Sequence, residues 1–285
     1  MINAALVLEG GSLRSLYTAG VLDIFLENNI EFSCVIGVSA GSLTGANYIS
    51  KQKRRSAQIN ILHSGNREYF GISQLLLKRS AFNFDYLFNE PINSLYPYDT
   101  KTLYSTNQRF LICATDCETA QPVYFENHSN YKKMTEYLQA SSSIPLLTKP
   151  TTINDHTYID GGIADPIGIN KAVSEGYSKI VVVLTRNKEF RKTKESLLIR
   201  QMLNAKYKNN PKLLSALNNT HNKYNSLQET ILEMENNKQI FVIRPQEPVN
   251  FSRIEKNPRK LIDLYFKGMQ DTENRLDQMK EYLNN

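Results

Sequence analysis

The chain has no apolar run near the ~20 residues needed to cross a bilayer. The longest buried-looking runs, Ile180-Val181-Val182-Val183-Leu184 among them, are the length of a strand. The N-terminus lacks a basic segment, and Glu9 interrupts the short apolar run there, so no secretory signal is expected. Cysteine is scarce: Cys34, Cys113 and Cys117 are the three among 285 residues. They are too few for a disulfide framework, and no second Cys/His cluster completes a zinc site around Cys113 and Cys117. A reduced, cytoplasmic protein with core cysteines, no structural metal and no cofactor is the expectation. Charge imbalance is small. Thirty-four Lys+Arg against 28 Asp+Glu give +6, which eases approach to anionic surfaces without choosing among membrane, nucleic acid or metabolite. No recognition motif interleaves basic and aromatic residues, so a nucleic-acid partner is not expected.

What the chain does have is alternation. Apolar runs at Ala4–Leu8, Cys34–Val38, Phe110–Ala114, Val123–Phe125, Thr157–Ile159, Lys179–Thr185 and Gln239–Arg244 read as strands. Helical spacing fills residues 13–27, Gly41–Ile49, Tyr131–Ser141 and Ile169–Glu175, with at least one amphipathic helix around Leu197, Leu198, Met202 and Leu203 and a last helical segment over Lys260–Leu283. Strands that are apolar throughout, alternating with helices, imply a mostly parallel sheet covered on both faces. Parallel strands put their C-terminal ends on one edge, where such sheets bind ligands. The glycine-bearing motifs all follow strands and are expected to meet there.

Gly37-Val38-Ser39-Ala40-Gly41 matches G-x-S-x-G between a strand and a helix. In that context the serine sits on a tight turn as an exposed nucleophile, and small neighbours relieve crowding. A Ser/Gly-rich helix cap is the bland alternative. In Glu9-Gly10-Gly11-Ser12-Leu13-Arg14-Ser15, a glycine pair after the first strand offers backbone N–H groups for an oxyanion hole. Arg14, a cation in a first helical turn, opposes the helix dipole and calls for an anionic partner, either a ligand or a structural carboxylate. Ser12 and Ser15 stand where a dinucleotide fingerprint needs glycine, and no Gly-Lys-Ser/Thr ending makes a P-loop.

A nucleophilic serine needs a base. The four histidines, His63, His128, His156 and His221, lie in no catalytic motif, and His156 is expected to be exposed in a turn. Asp160 ends the strand run Thr157-Tyr158-Ile159, and Gly161-Gly162 permits the sharp turn that would aim its carboxylate across the edge. An ordinary Asx turn is the competing use of Asp-Gly.

These three blocks, in this order, resemble those of bacterial patatin-like phospholipases. Ala140-Ser141-Ser142-Ser143-Ile144-Pro145 resembles a fourth family segment near the active site, and Ala114-Thr115-Asp116 with Pro122-Val123-Tyr124-Phe125 is a further likeness. The resemblance implies a three-layer α/β fold with a central, mostly parallel sheet and helices on both faces. It implies a catalytic core over residues 1–185, with 186–285 a helix-rich extension carrying one more strand on the same domain. It further implies a Ser39–Asp160 dyad, an oxyanion hole of Gly10, Gly11 and Ser12, support from Arg14, Gly37, Gly41, Gly161 and Gly162, no metal, and hydrolysis of lipid carboxylic esters. A partly desolvated Asp160 is expected, because burial makes a carboxylate a better base. The first block departs from the family: its third glycine is Ser12 and its last is Ser15, which bears on activity, while Glu9 is retained. A soluble carboxylesterase or thioesterase, or a non-catalytic lipid-binding homologue, is the alternative.

Two further stretches bear on substrate. Ile72, Leu75, Leu76, Leu77, Phe82, Phe84, Leu87 and Phe88 either cover the site, receive an acyl chain or pack as plain core. Lys188, Arg191, Lys192 and Lys194, beside Leu197, Leu198 and Met202, suit peripheral contact with an anionic inner-membrane surface or a merely solvated helix.

Overall fold

The computed structural model describes residues 1–69, 80, 82–89, 92–250 and 255–284. Ile72 and Leu75–Leu77 therefore lie outside the described residues. Among the described residues the chain runs β1 (Ile2–Leu8), α1 (Ser15–Glu27), β2 (Phe32–Val38), α2 (Ala40–Ile49), α3 (Arg55–Leu62), and the short α4 (Phe84–Phe88), α5 (Ile92–Leu95) and α6 (Thr100–Ser105). It continues through β3 (Arg109–Asp116), β4 (Pro122–Glu126), α7 (Tyr131–Ser141), β5 (Thr151–Ile153), β6 (His156–Asp160), α8 (Ile169–Ser174) and β7 (Ile180–Val183). It ends with α9 (Leu197–Tyr207), α10 (Pro211–Asn236), β8 (Phe241–Ile243), α11 (Pro258–Glu273) and α12 (Leu276–Asn284).

One sheet in the order β5-β6-β3-β2-β1-β7-β8, with β4 also on β3, carries the fold. The pairs β1–β2, β1–β7, β2–β3 and β7–β8 are parallel. Alternation along β1 sorts the two faces, since successive side chains point to opposite sides. Ala4, Leu6 and Leu8 pack with α1 and α11 residues such as Leu16, Tyr17, Leu261 and Tyr265. Ala5 and Val7 pack with Ile169 and Ala172 of α8 and Leu227 and Ile231 of α10. Residues 4–8 are fully buried, as a strand covered on both sides must be.

In this mostly parallel sheet β6 is one of the strands that run the other way, and that direction places Asp160. β6 pairs antiparallel with β3, Asp160 opposite Ala114, while the last residue of β2, Val38, lies opposite Cys113. β4 already occupies the other edge of β3 across Leu111–Thr115. So β2 and β6 share one edge of β3 and meet there end to end, bringing Ser39 and Asp160 together. β5 joins β6 through a two-residue turn, with Asn154 and Asp155 both at positive φ (49° and 66°), the hairpin geometry that suits Asn and Asp.

The expected helix over Lys260–Leu283 is two helices, α11 and α12. At the break, the Arg275 guanidinium donates to the carbonyl of Val242 in β8, a tertiary contact that helical periodicity does not reveal. The extension holds α9 to α12 and β8, with α10 running 26 residues. Cys34 and Cys113 are buried and Cys117 is partly so. No described helix is long and apolar enough to cross a membrane.

Candidate active site

The turn after β2 holds Ser39 at φ 54°, ψ −125°, a conformation L-residues reach only at a cost of order 1–3 kcal/mol. Close packing imposes it. A Cβ on Gly41 would lie 2.3 Å from the Leu8 carbonyl oxygen, and one on Gly37 would lie 2.5 Å from Ser42 Cα. Glycine at both positions lets α2 start hard against the ends of β1 and β2. The Ser39 N–H donates to Ser141 Oγ at 2.9 Å, and the Ser39 carbonyl accepts from Ser42 N and Oγ.

The Ser39 hydroxyl donates to Asp160 Oδ2 at 2.5 Å across 121 positions of sequence. Both residues are 7% exposed. The other carboxylate oxygen of Asp160 accepts from Gly162 N at 2.8 Å, so one oxygen is held and the other faces the serine. Asp160 N donates to the Ser143 carbonyl at 2.9 Å, and its own carbonyl accepts from Thr115 Oγ1 at 2.8 Å. The segment 141–143 thus braces both partners, Ser141 holding the serine and Ser143 the aspartate. A Cβ on Gly161 would lie 2.3 Å from the Cys113 carbonyl oxygen, so glycine is required for β6 to turn off β3 there.

Gly10 packs directly on the serine: a Cβ there would lie 2.9 Å from Ser39 Cβ. Among the described residues neither the Gly10 nor the Gly11 amide donates a hydrogen bond. Ser12 adopts φ 53°, the left-handed conformation that the missing third glycine would have taken without strain. Behind this loop Glu9 is 3% exposed. Its Oε2 accepts from Thr185 N and Oγ1 at 2.5 and 3.0 Å, and its Oε1 from the Tyr224 hydroxyl at 2.7 Å. Burial pushes this carboxyl above its ordinary value. The three donors and the nearby charge of Arg14 pull it back only in part. Arg14 therefore has a structural carboxylate in its field, one of its two expected kinds of partner.

Ser39, Ser12 and Ile144 line two clefts. One is walled by Leu13, Leu43, Ile59, Phe82, Phe84 and Leu87. Phe82, Phe84 and Leu87 thus line the site, whereas Phe88 belongs to the core. The other is lined by Asp160, Thr185 and Tyr224 together with Arg14, Arg186 and Lys192. No histidine is among the described lining residues of either cleft. His63 bonds the Tyr86 hydroxyl, and His156 is exposed with Nδ1 4.0 Å from Asp116 Oδ2. Sequence reasoning missed Thr185 and Tyr224, whose contacts with Glu9 span 176 and 215 positions and leave no local signal.

The class that the fold defines is an α/β sheet flanked by helices, with Ser39 on a strained turn after β2 and the Asp160 carboxylate on its hydroxyl. The profile of patatin-like phospholipases matches residues 6–173, more than half of the 285-residue chain, and the chain belongs to that family. A domain of unknown function, DUF6363, matches residues 210–284. The uncharacterized protein YjjU of Escherichia coli K12 is 29% identical over 186 residues, 64% of this chain and 51% of that protein. The chain thus spans about half the length of that relative. The crystal structure of VipD from Legionella pneumophila covers 98% of this chain and 67% of its own at 13% identity, with a TM-score of 0.47.

Proposed function

We propose that the chain is a serine acyl hydrolase of lipid carboxylic esters, with Ser39 as nucleophile and Asp160 as its base. The observation that carries this reading is the 2.5 Å contact between Ser39 Oγ and Asp160 Oδ2 inside a cleft. Ser39 Oγ attacks the ester carbonyl while Asp160 takes its proton. Gly10, Gly11 and Ser12 supply amides to the tetrahedral oxyanion, where each such donor is worth about 2.7–4 kcal/mol. Collapse expels the alcohol, protonated by Asp160, and leaves Ser39 acylated. A water then gives its proton to Asp160 and attacks the acyl carbonyl. Release of the acid restores the serine hydroxyl and the carboxylate. The apolar cleft takes the acyl chain. The cleft with Arg14, Arg186 and Lys192 in its wall takes the alcohol side, and its field favours an anionic headgroup.

Peripheral membrane contact fits the exposed Leu197 (74%) and Leu198 (66%) at the start of α9, close in sequence to Lys192 and Lys194. Arg191 contributes less there, being paired with Glu229 at 2.5 Å. The test is a fluorophosphonate probe followed by peptide mapping. Modification of Ser39 is expected; labelling elsewhere, or none, overturns the assignment. Rates on emulsified against monomeric esters then separate a lipase-like enzyme from a soluble esterase.

A further inference from the structure

The apolar cleft does not end on apolar residues. Asn47, Arg55, Ser56 and Asn60 line it as well. Asn47 lies eight residues along the chain from Ser39, in the last turn of α2, so this polar end sits about 12 Å down that helix from the nucleophile. Arg55 is 4% exposed. Its Nε and Nη2 donate to the Tyr96 carbonyl at 2.9 and 2.7 Å, and its Nη1 donates to Asn47 Oδ1 at 2.8 Å. Its guanidinium carbon stands 3.6 Å from the centroid of the Tyr98 ring, also in the cleft wall.

All of those partners are neutral. None of the ion pairs among the described residues includes Arg55. A guanidinium has five N–H donors and stays charged in proteins; three are engaged here. A buried cation without a counter-charge is costly. Its place at the first position of α3 adds to that cost, because the helix N-terminus is itself positive. Cation and helix end together favour an anion on the cleft side.

We propose that this cleft accepts an acyl group whose far end carries a carboxylate, the acyl half of a dicarboxylic monoester, with that carboxylate on Arg55. The proposal rests on the acyl-hydrolase reading for the ester end and adds the chemistry of the other end. A plain fatty acyl chain would instead bring its methyl terminus against a desolvated charge.

The test reads binding, so that it does not depend on turnover. Calorimetry on the Ser39→Ala protein compares suberate with octanoate, acids of equal chain length that differ in the terminal carboxylate. Suberate is expected to bind at least tenfold tighter, and glutarate, too short to reach Arg55, no tighter than valerate. Arg55→Met should erase the suberate preference, and Arg55→Lys should restore part of it. Equal or weaker binding of suberate in Ser39→Ala overturns the proposal without reference to the Arg55 variants. So does an equal preference for glutarate over valerate, which would mark unspecific attraction to the basic surface. Absence of Ser39-dependent ester cleavage in the native chain would instead defeat the hydrolase reading, a separate result.

Discussion

Ser15 donates its hydroxyl to the carbonyl of Ser12 at 2.8 Å, joining the two positions at which the first block departs from the family pattern. Ser12 is the residue held at φ 53°. A left-handed non-glycine residue costs roughly 1–2 kcal/mol, and glycine returns about 0.4–1 kcal/mol of that through unfolded-chain entropy. Ser12→Gly should therefore leave stability unchanged or raise it by no more than about 1.5 kcal/mol. Ser12→Val, β-branched at positive φ, should lose stability. Thermal unfolding of the two variants checks the sign, and esterase rates show whether the serine restrains activity.

The proposed dyad makes a sharper demand. Asp160→Asn keeps the shape of the side chain but cannot take a proton. With general-base catalysis worth about 10²–10⁴-fold, kcat on an activated ester should fall by at least the lower figure, and Ser39→Ala should abolish turnover with the melting temperature retained. A normal rate in Asp160→Asn, with loss in His156→Ala or His221→Ala, would move the base to a histidine.

Ser141 meets Ser39 at the backbone, its Oγ accepting from Ser39 N at 2.9 Å. Ser141→Ala leaves a buried N–H without that acceptor, a cost of about 1–3 kcal/mol, and loosens the elbow. We expect kcat to fall with KM nearly constant, since no substrate contact is removed. Ser141→Thr should recover part of the rate. An unchanged kcat in Ser141→Ala would mean that close packing alone sets the elbow.

Glu9 gives a pH signature. Burial raises its native value above the ordinary 4.5, so at pH values between the two the native state holds a proton that the unfolded chain has released. Its contribution is fully present below the unfolded value and is lost as pH rises through the native one. Tyr224→Phe removes a donor to the ionised form and raises the native value further. Its stability deficit should accordingly be small near pH 4 and larger, about 1–3 kcal/mol, at neutral pH. Denaturant melts at the two pH values measure it. A deficit independent of pH would assign Tyr224 to packing alone.

The sequence made the central strands legible, because runs such as Ala4–Leu8 and Ile180–Val183 are apolar throughout and short. It made Ser39 legible through its strand–turn–helix setting. It did not reveal the direction of β6, since an antiparallel strand and a parallel one carry the same residues, and Asp160 reaches Ser39 because of that direction. The three-residue β5 was too short to register as a run. Two helix starts carry a local signal: Asn210-Pro211 and Asn257-Pro258 each place a capping side chain before a proline whose missing N–H costs nothing at that position. The partners of Glu9 lie too far along the chain for any local pattern to register.

The last expectation concerns the extension and its hold on the core. α1 and α11 cross with their backbones in contact. A Cβ on Gly20 would lie 2.1 Å from the Tyr265 carbonyl oxygen, and one on Gly268 would lie 2.1 Å from that of Tyr17. Neither contact is the tip of a flexible side chain, so neither can yield without moving a helix. Two buried hydrogen bonds frame the crossing, Tyr17 to Asp271 Oδ2 at 3.0 Å and Tyr265 to Asp23 Oδ2 at 2.7 Å. Gly268→Val must force the helices apart and strain both bonds, an overpacking cost of about 1–3 kcal/mol. If residues 186–285 form one cooperative unit with the core, this variant should lower a single unfolding transition and slow esterase turnover in parallel. A separate early transition, with activity retained above it, would instead mark the extension as an independent unit.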